Sequence, residues 1–365
     1  MSKTITKVAT KTSKTKSTPK KAIAKEVAIK SASKATTPQI NKKEDAVVAL
    51  DKAHDMLKNI NRAIDDVVFG QNKVVEQTLI ALLAGGHALL VGVPGLAKTL
   101  LVETLGTVLG LDQKRIQFTP DLMPADIIGS EILDEKNGTR SFRYIQGPVF
   151  TELLMADEIN RASPRTQSAL LQAMQEYHVT FAGKRYDLPS PFHVLATQNP
   201  LEQEGTYPLP EAQLDRFLMQ IDIAYPDPQT ERRIILETTG AKTNKAKKVI
   251  EANQLKALQN LVRSMPISES VVDGILKLVQ AARPNADNVH AQKHIAWGPG
   301  PRASQALSLC ARARALYQGR LAPSLDDVNA LAIPVLQHRM MLNFAARAEG
   351  LNVKNIIQDL AKEAL

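Results

Sequence analysis

The chain has 365 residues, enough for about two domains and a tail, and its 44% apolar but only 4% aromatic content predicts an aliphatic core. One cysteine, Cys310, excludes an intramolecular disulfide and fits a reducing, cytoplasmic setting. No run of about 18 apolar residues is present to cross a membrane, and the first residues lack the apolar stretch of a secretory signal.

The net charge of +9 is unevenly placed. Twelve lysines against two glutamates give residues 1–44 a charge of +10 and leave −1 to the remaining chain. This segment is Lys, Thr, Ser and Ala without an apolar period, which predicts a disordered tail. It reads either as a solvated extension or as an anchor for nucleic acid or another anionic surface.

Order is expected from about Asp45. A helix is predicted over 46–66 and a second over 73–83. Five short apolar segments follow at α/β spacing: 88–92, 115–119, 153–157, 193–197 and 219–223. Helical stretches separate most of them, the pattern of a parallel sheet with crossover helices. Two insertions interrupt it, one over 121–149 with short strands around Asn137-Gly138, and a hairpin over 179–188 turning at Ala182-Gly183. The β pattern stops at Tyr225-Pro226-Asp227-Pro228. Beyond it the reading is helical over 229–238, 252–264, 268–283, 301–318, 324–340 and 353–362, with Ser268 and Ser324 as N-caps. The organisation is therefore a tail (1–44), an α/β nucleotide domain (45–224) and a small helical domain (225–365).

The chemistry is concentrated at the strand ends. After the first strand stand Gly92, Val93, Pro94, Gly95, Leu96, Ala97, Lys98, Thr99 and Leu100. A glycine turn leading into a helix with Lys-Thr at its start is a phosphate-binding loop. Its backbone N–H groups face an anion, Lys98 neutralises the β/γ-phosphates, and the Thr99 hydroxyl is a Mg²⁺ ligand. Ala97 departs from the general pattern, which has glycine before the lysine. The third strand ends in Asp157-Glu158, putting two carboxylates at the same sheet edge. Asp157 is the second candidate ligand for Mg²⁺ and Glu158 the base that orients the attacking water. Asn199 ends the fourth strand, where a neutral amide holds that water without adding charge; Asn before Pro is also a common turn former. Arg216 and Arg302, taken singly, read more often as surface salt-bridge partners. His290 and His294 lie four apart but lack the glutamate of a zinc-protease motif and read as a loop or surface pair. Cys310 reads as a packed thiol, and Trp297 as a residue at the domain junction.

Across roughly residues 50–345 the chain resembles the MoxR family of AAA+ ATPases. The matching stretches are Gly92–Thr99, the run from Ile116 through Pro124 to Asp126, Gly147-Pro148-Val149-Phe150, Ala156-Asp157-Glu158-Ile159-Asn160-Arg161-Ala162, Leu195–Pro200 and Glu204–Phe217. Ala97 belongs to the family pattern. The resemblance implies an α/β P-loop AAA+ core, a parallel sheet flanked by helices, with a C-terminal helical lid. It implies ATP and Mg²⁺ as cofactors and Gly70-Gln71 as the segment beside the adenine. It also implies Asn199 as sensor 1, Arg216 as an arginine finger acting on a neighbouring subunit's ATP, and Arg302 as sensor 2, reaching the γ-phosphate from the lid. Residues 121–149 correspond to the helix-2 insert and 179–188 to the hairpin before sensor 1. Gly298-Pro299-Gly300-Pro301-Arg302 departs from the family's Gly-Ala-Ser-Pro-Arg but keeps the arginine. Implied partners are further copies in a hexameric ring, a protein with a von Willebrand factor A domain and a protein client whose complex or cofactor is matured. Two other readings stay open at this point. One is an ATPase subunit of a chelatase-type metal-insertion complex. The other is a nucleic-acid-associated ATP-binding protein acting through its basic tail.

Overall fold

In the computed structural model the described residues are 42–365, apart from 137–138, 203–204, 241–243 and 285–288. The expected tail lies outside them up to position 41, and the first helix, α1 (Lys42–Asp65), takes in the last three residues assigned to it. Then come α2 (Asn72–Leu83), β1 (Ala88–Val91), α3 (Lys98–Val108) and β2 (Gln113–Gln117). The first insertion is α4 (Pro124–Ile128) with a hairpin, β3 (Gly129–Lys136) and β4 (Thr139–Gln146). The core resumes with β5 (Leu153–Asp157) and α5 (Pro164–Glu176); the second hairpin, β6 (His178–Phe181) and β7 (Lys184–Asp187), precedes β8 (His193–Gln198), α6 (Glu211–Leu214) and β9 (Met219–Asp222).

Five strands form one parallel sheet in the order β2-β5-β8-β1-β9. Alternation along each strand sends side chains to opposite faces. Leu90, Leu153 and Leu195 pack into a cluster with α1–α3 and the C-terminal helices, while Leu89, Leu154 and Val194 pack with α4 and α5. Both faces are thus covered, as a parallel sheet requires. The second strand lies two residues earlier than expected, because its parallel register pairs Gln113 with Leu153 and Gln117 with Asp157. The two hairpins touch: the Tyr144 ring stacks 5.1 Å from Phe181 and lies 4.4 Å from Tyr186.

The helical half comprises α7 (Pro228–Thr238), α8 (Ala252–Ser264), α9 (Glu269–Ala281), α10 (Val289–His294), α11 (Pro301–Tyr317), α12 (Leu325–Leu336), α13 (Phe344–Ala348) and α14 (Val353–Ala364). Ser268 caps α9 by accepting from the Val271 N–H, and Asp327 Oδ2 accepts from the Ser324 N–H at the start of α12. Burial alone would raise the Asp327 pKa, but Arg320, Ser324 and Arg314 all donate to its carboxylate and hold it below the usual range. Two differences from expectation arise here. A short ribbon, β10 (Ile295–Trp297) with β11 (Met341–Leu342), contains Trp297; strands of two and three residues are too short to show a period. The helix expected over 324–340 ends at Leu336 in a 3₁₀ turn, Gln337–Arg339, just after Pro334, which lacks an N–H to continue the ladder. Cys310 is fully buried and its thiol is pushed up to about 12 by burial, an inert packed residue. The His290 side chain lies outside the described residues, among which no cluster of three metal-binding groups occurs.

Two histidines join the sheet to its surroundings. His87 Nδ1 accepts from the Val194 N–H while Nε2 donates to Met174 O; His193 Nδ1 donates to Gly86 O and Nε2 accepts from Gln259 of α8. Burial, reinforced for His87 by the neighbouring His193, pushes their pKa values down to about 3 and about 4. On unfolding each ring returns to its usual 6.5 and binds a proton first as pH falls. Stability is therefore complete above that value and lost below it. Between pH 7 and 5 the loss is expected to be about 2 kcal/mol per ring. A thermal melt unchanged over that interval would contradict the neutral, buried assignment.

Candidate nucleotide site

The loop between β1 and α3 wraps on itself. Lys98 Nζ donates to Gly92 O at 2.6 Å, so the ammonium lies across the loop mouth. Burial lowers its pKa, opposed by Asp157, Glu158 and Glu202. Gly92 is required for packing as much as for ligand approach: a Cβ there would meet Ile223 at 3.0 Å. Ala97 adopts the left-handed conformation (φ 54°, ψ 27°) immediately before α3. That conformation explains the glycine of the general pattern, since a Cβ there costs roughly 1–2 kcal/mol. The first turn of α3, carrying Lys98, Thr99 and Leu100, presents its N–H groups to the loop.

Asp157 ends β5 beside this loop and is 8% exposed. Its Oδ1 accepts from Thr197 Oγ1 at 2.5 Å and its Oδ2 from Arg115 at 2.6 Å. Glu158 follows in a left-handed conformation (φ 56°, ψ 51°), a strained state for a residue with a side chain. Its N–H donates to Thr197 Oγ1 at 2.8 Å. Gln117 Nε2 and Arg161 both donate to Glu158 Oε2, at 2.7 and 3.0 Å, leaving Oε1 as the oxygen that can face a water. Asn199 is 4% exposed, and its Oδ1 accepts from the Leu201 N–H at 3.1 Å. The turn-forming role is thus real, and the nitrogen end of the amide is the part that can meet a water.

Sequence reasoning passed over Arg115, Thr197 and Arg161 as functional residues and used Gln117 only as part of a family stretch. For Arg115, Gln117 and Thr197 the signal is register: Arg115 and Gln117 share a face of β2, Gln117 pairs with Asp157 across the sheet, and Thr197 lies in β8, the strand beside β5. Thr197 is fully buried and bonds to both consecutive acids. Thr197→Val keeps the shape but leaves two polar partners unpaired. It is expected to cost about 1–3 kcal/mol in a thermal melt and to lower turnover more than ATP affinity; unchanged turnover would remove Thr197 from the site.

Gly70 and Gln71 line a 370 Å³ cavity together with Asp222, Tyr225, Ile333 and Lys354. Gln71 Nε2 donates to Leu96 O at 2.9 Å, which ties this segment to the phosphate loop. Gln71 Oε1 is buried with no donor among the described residues. The donor set of Thr99 hydroxyl and Asp157 carboxylate fits Mg²⁺, a hard cation that favours oxygen.

The two arginines stand elsewhere. Arg216 and Arg302 line a separate 270 Å³ cavity with Gly85, His87, Arg263 and Arg339. Gly85 and His87 lead into β1, whereas Gly92–Thr99 leave it, and Arg216 likewise leads into β9, which runs parallel to β1. Both arginines therefore lie at the sheet edge opposite the phosphate loop. Arg302, expected to reach the γ-phosphate from the lid, does not join the loop of its own chain. The start of α11 sets it against the segment that carries Arg216, where it lies 3.5 Å from Asp215 Oδ2.

Known proteins place this geometry. The model of the ATPase family associated with various cellular activities (AAA) matches residues 87–219, and that of the AAA lid domain matches residues 288–360. "Chaperone MoxR1" of Mycobacterium tuberculosis is 44% identical over 303 residues, covering 82% of this chain and 80% of its own length. "Protein MoxR" of Methylorubrum extorquens is 30% identical over 308 residues, covering 79% and 88%. The crystal structure of a putative ATPase from Cytophaga hutchinsonii superposes with a TM-score of 0.80 at 40% identity, covering 87% of this chain and 96% of that one. A parallel five-stranded sheet, a phosphate loop, an acid pair at the end of β5 and a helical lid define an AAA+ ATPase, an enzyme that binds and hydrolyses ATP. The chain belongs to the MoxR family of these enzymes.

Proposed function

We propose that the chain is a MoxR-type chaperone that spends ATP on remodelling or maturing protein complexes, including the insertion of a metal or cofactor. It works as a head-to-tail ring, most simply a hexamer. One observation supports the ring above the others. The phosphate loop and the arginines Arg216 and Arg302 occupy opposite edges of one sheet, so a single chain carries two halves of different sites. In the ring, Arg216 and Arg302 of one copy complete the site at Gly92–Thr99 of the next. Within each site Lys98 and the α3 N-terminus hold the phosphates, Thr99 and Asp157 hold Mg²⁺, Glu158 orients the water, and Asn199 steadies it against the γ-phosphate. Bound Mg²⁺ would supply charge neutralisation on the phosphates. The name of the mycobacterial relative agrees with the chaperone reading. A client and a von Willebrand factor A domain protein complete the proposed assembly. No helix among the described residues is long and apolar enough to cross a membrane.

The deciding measurement is ATPase activity per subunit across protein concentration, with Glu158→Gln as the blank. A steep rise with concentration is expected, because dilution separates the halves of each site. A flat profile at concentrations where sizing shows only monomer would overturn the shared site.

A further inference from the structure

Three consecutive side chains of the lid turn inward onto the backbone that carries Arg216. Gln337 Nε2 donates to Gln220 O at 2.9 Å, and His338 Nε2 donates to Phe217 O at 3.0 Å. Arg339 donates to Asp215 Oδ1 at 2.7 Å, Phe217 O at 2.7 Å and Leu218 O at 3.1 Å, with further bonds to Val335 O and Asp215 O. Arg339 is 2% exposed, so a full charge has been taken out of water to make these contacts. Apolar packing of the lid on the sheet would not require that expense, and a buried ion pair is weak support for stability as such. What the guanidinium supplies is geometry, since its five N–H groups form a rigid planar fork.

The fork grips both neighbours of Arg216, at Asp215 and at Phe217. Arg216 itself makes no ion pair among the described residues and projects into the same cavity as Arg302. Asp215 is shared: one oxygen takes Arg339 and the other lies 3.5 Å from Arg302. We infer that Arg339 is a positioning residue for the arginine finger, locking residues 215–218 to the lid so that Arg216 and Arg302 are presented together on one rigid surface. This deepens the shared-site reading above and rests on it. The lid, by this assignment, moves as one body with the finger offered to the neighbouring copy.

The test is trans-complementation with full-length chains. Arg339→Lys keeps the charge and loses the fork. Its turnover is expected to fall roughly 10-fold or more, as misplaced groups cause, while ATP affinity in its own pocket stays within about twofold. Mixed with Lys98→Ala copies, whose fingers are intact, it should regain activity; mixed with Arg216→Ala copies it should not. Asp215→Asn, which removes the fork's carboxylate partner, should follow the same pattern and carries the test if Arg339→Lys does not fold. Arg216→Ala mixed with Lys98→Ala is the control. If the control recovers while the Arg339→Lys and Asp215→Asn mixtures with Lys98→Ala do not, Arg339 merely supports the fold and the assignment is overturned. If the control itself fails to recover, the shared site falls, and this assignment with it.

Discussion

Glu158→Gln is expected to bind ATP with near-native affinity and to hydrolyse it 10²–10⁴-fold more slowly, roughly the share of a general base. The substitution keeps the side-chain length and the hydrogen-bond acceptor that Gln117 and Arg161 approach. It turns the free Oε1 into an amide NH₂ and so removes the charge that, in the proposed site, would draw a proton from water. Binding should persist because the groups facing the phosphates lie in the loop Gly92–Thr99, where Lys98 bridges to Gly92 O. The check is equilibrium binding of a fluorescent ATP analogue beside single-turnover hydrolysis. Equal losses in both would mean that Glu158 holds the loop together, and near-native turnover would mean that another group activates the water.

The second large effect concerns Arg216. Arg216→Ala should lower turnover by about 10³–10⁵-fold, the worth of an arginine delivered to a transferring phosphoryl group. Assembly, measured by sizing, should survive, because the segment around Arg216 is held by Arg339 and not by Arg216 itself. Lys98→Ala should be inactive for the opposite reason: its nucleotide site fails while Arg216 is intact. Mixing the two creates interfaces that pair a sound loop with a sound arginine. Recovered activity would place Arg216 at a shared site; no recovery at any ratio would place it elsewhere.

The strands and the phosphate loop were legible because their signals are local. Ala88–Val91 followed by Gly92–Thr99 states strand, turn and helix within a dozen residues. Asp157, Glu158 and Asn199 were legible for the same reason, each closing an apolar run. Arg115 and Thr197 were not, because their partners depend on which strands are neighbours, and that order is non-sequential; Arg161 was not, although Glu158 is only three residues away, because the left-handed turn that brings the two together leaves no periodic signal. The setting of Arg302 was hidden further still. A sequence motif names the residue but not the direction in which α11 leaves the lid, and only the packing against Asp215 fixes it. The turn Gln337–Arg339 looked like continuing helix because its side chains are polar at positions that a solvated helix face also allows.

The opposed edges of the central sheet carry one more consequence. Every copy in the proposed assembly owns one nucleotide site and guarantees another, so a single damaged chain silences its own site or its neighbour's, and a chain with both halves damaged silences two. In a random mixture with a chain damaged in both halves, the share of working sites falls as the square of the intact fraction. Half-and-half with a doubly damaged chain leaves roughly one quarter of full activity, where independent sites would leave about half. A lesion confined to one half would cost no more than its dosage, whereas one that damages both halves would weigh more heavily, a penalty set by the direction in which five strands run.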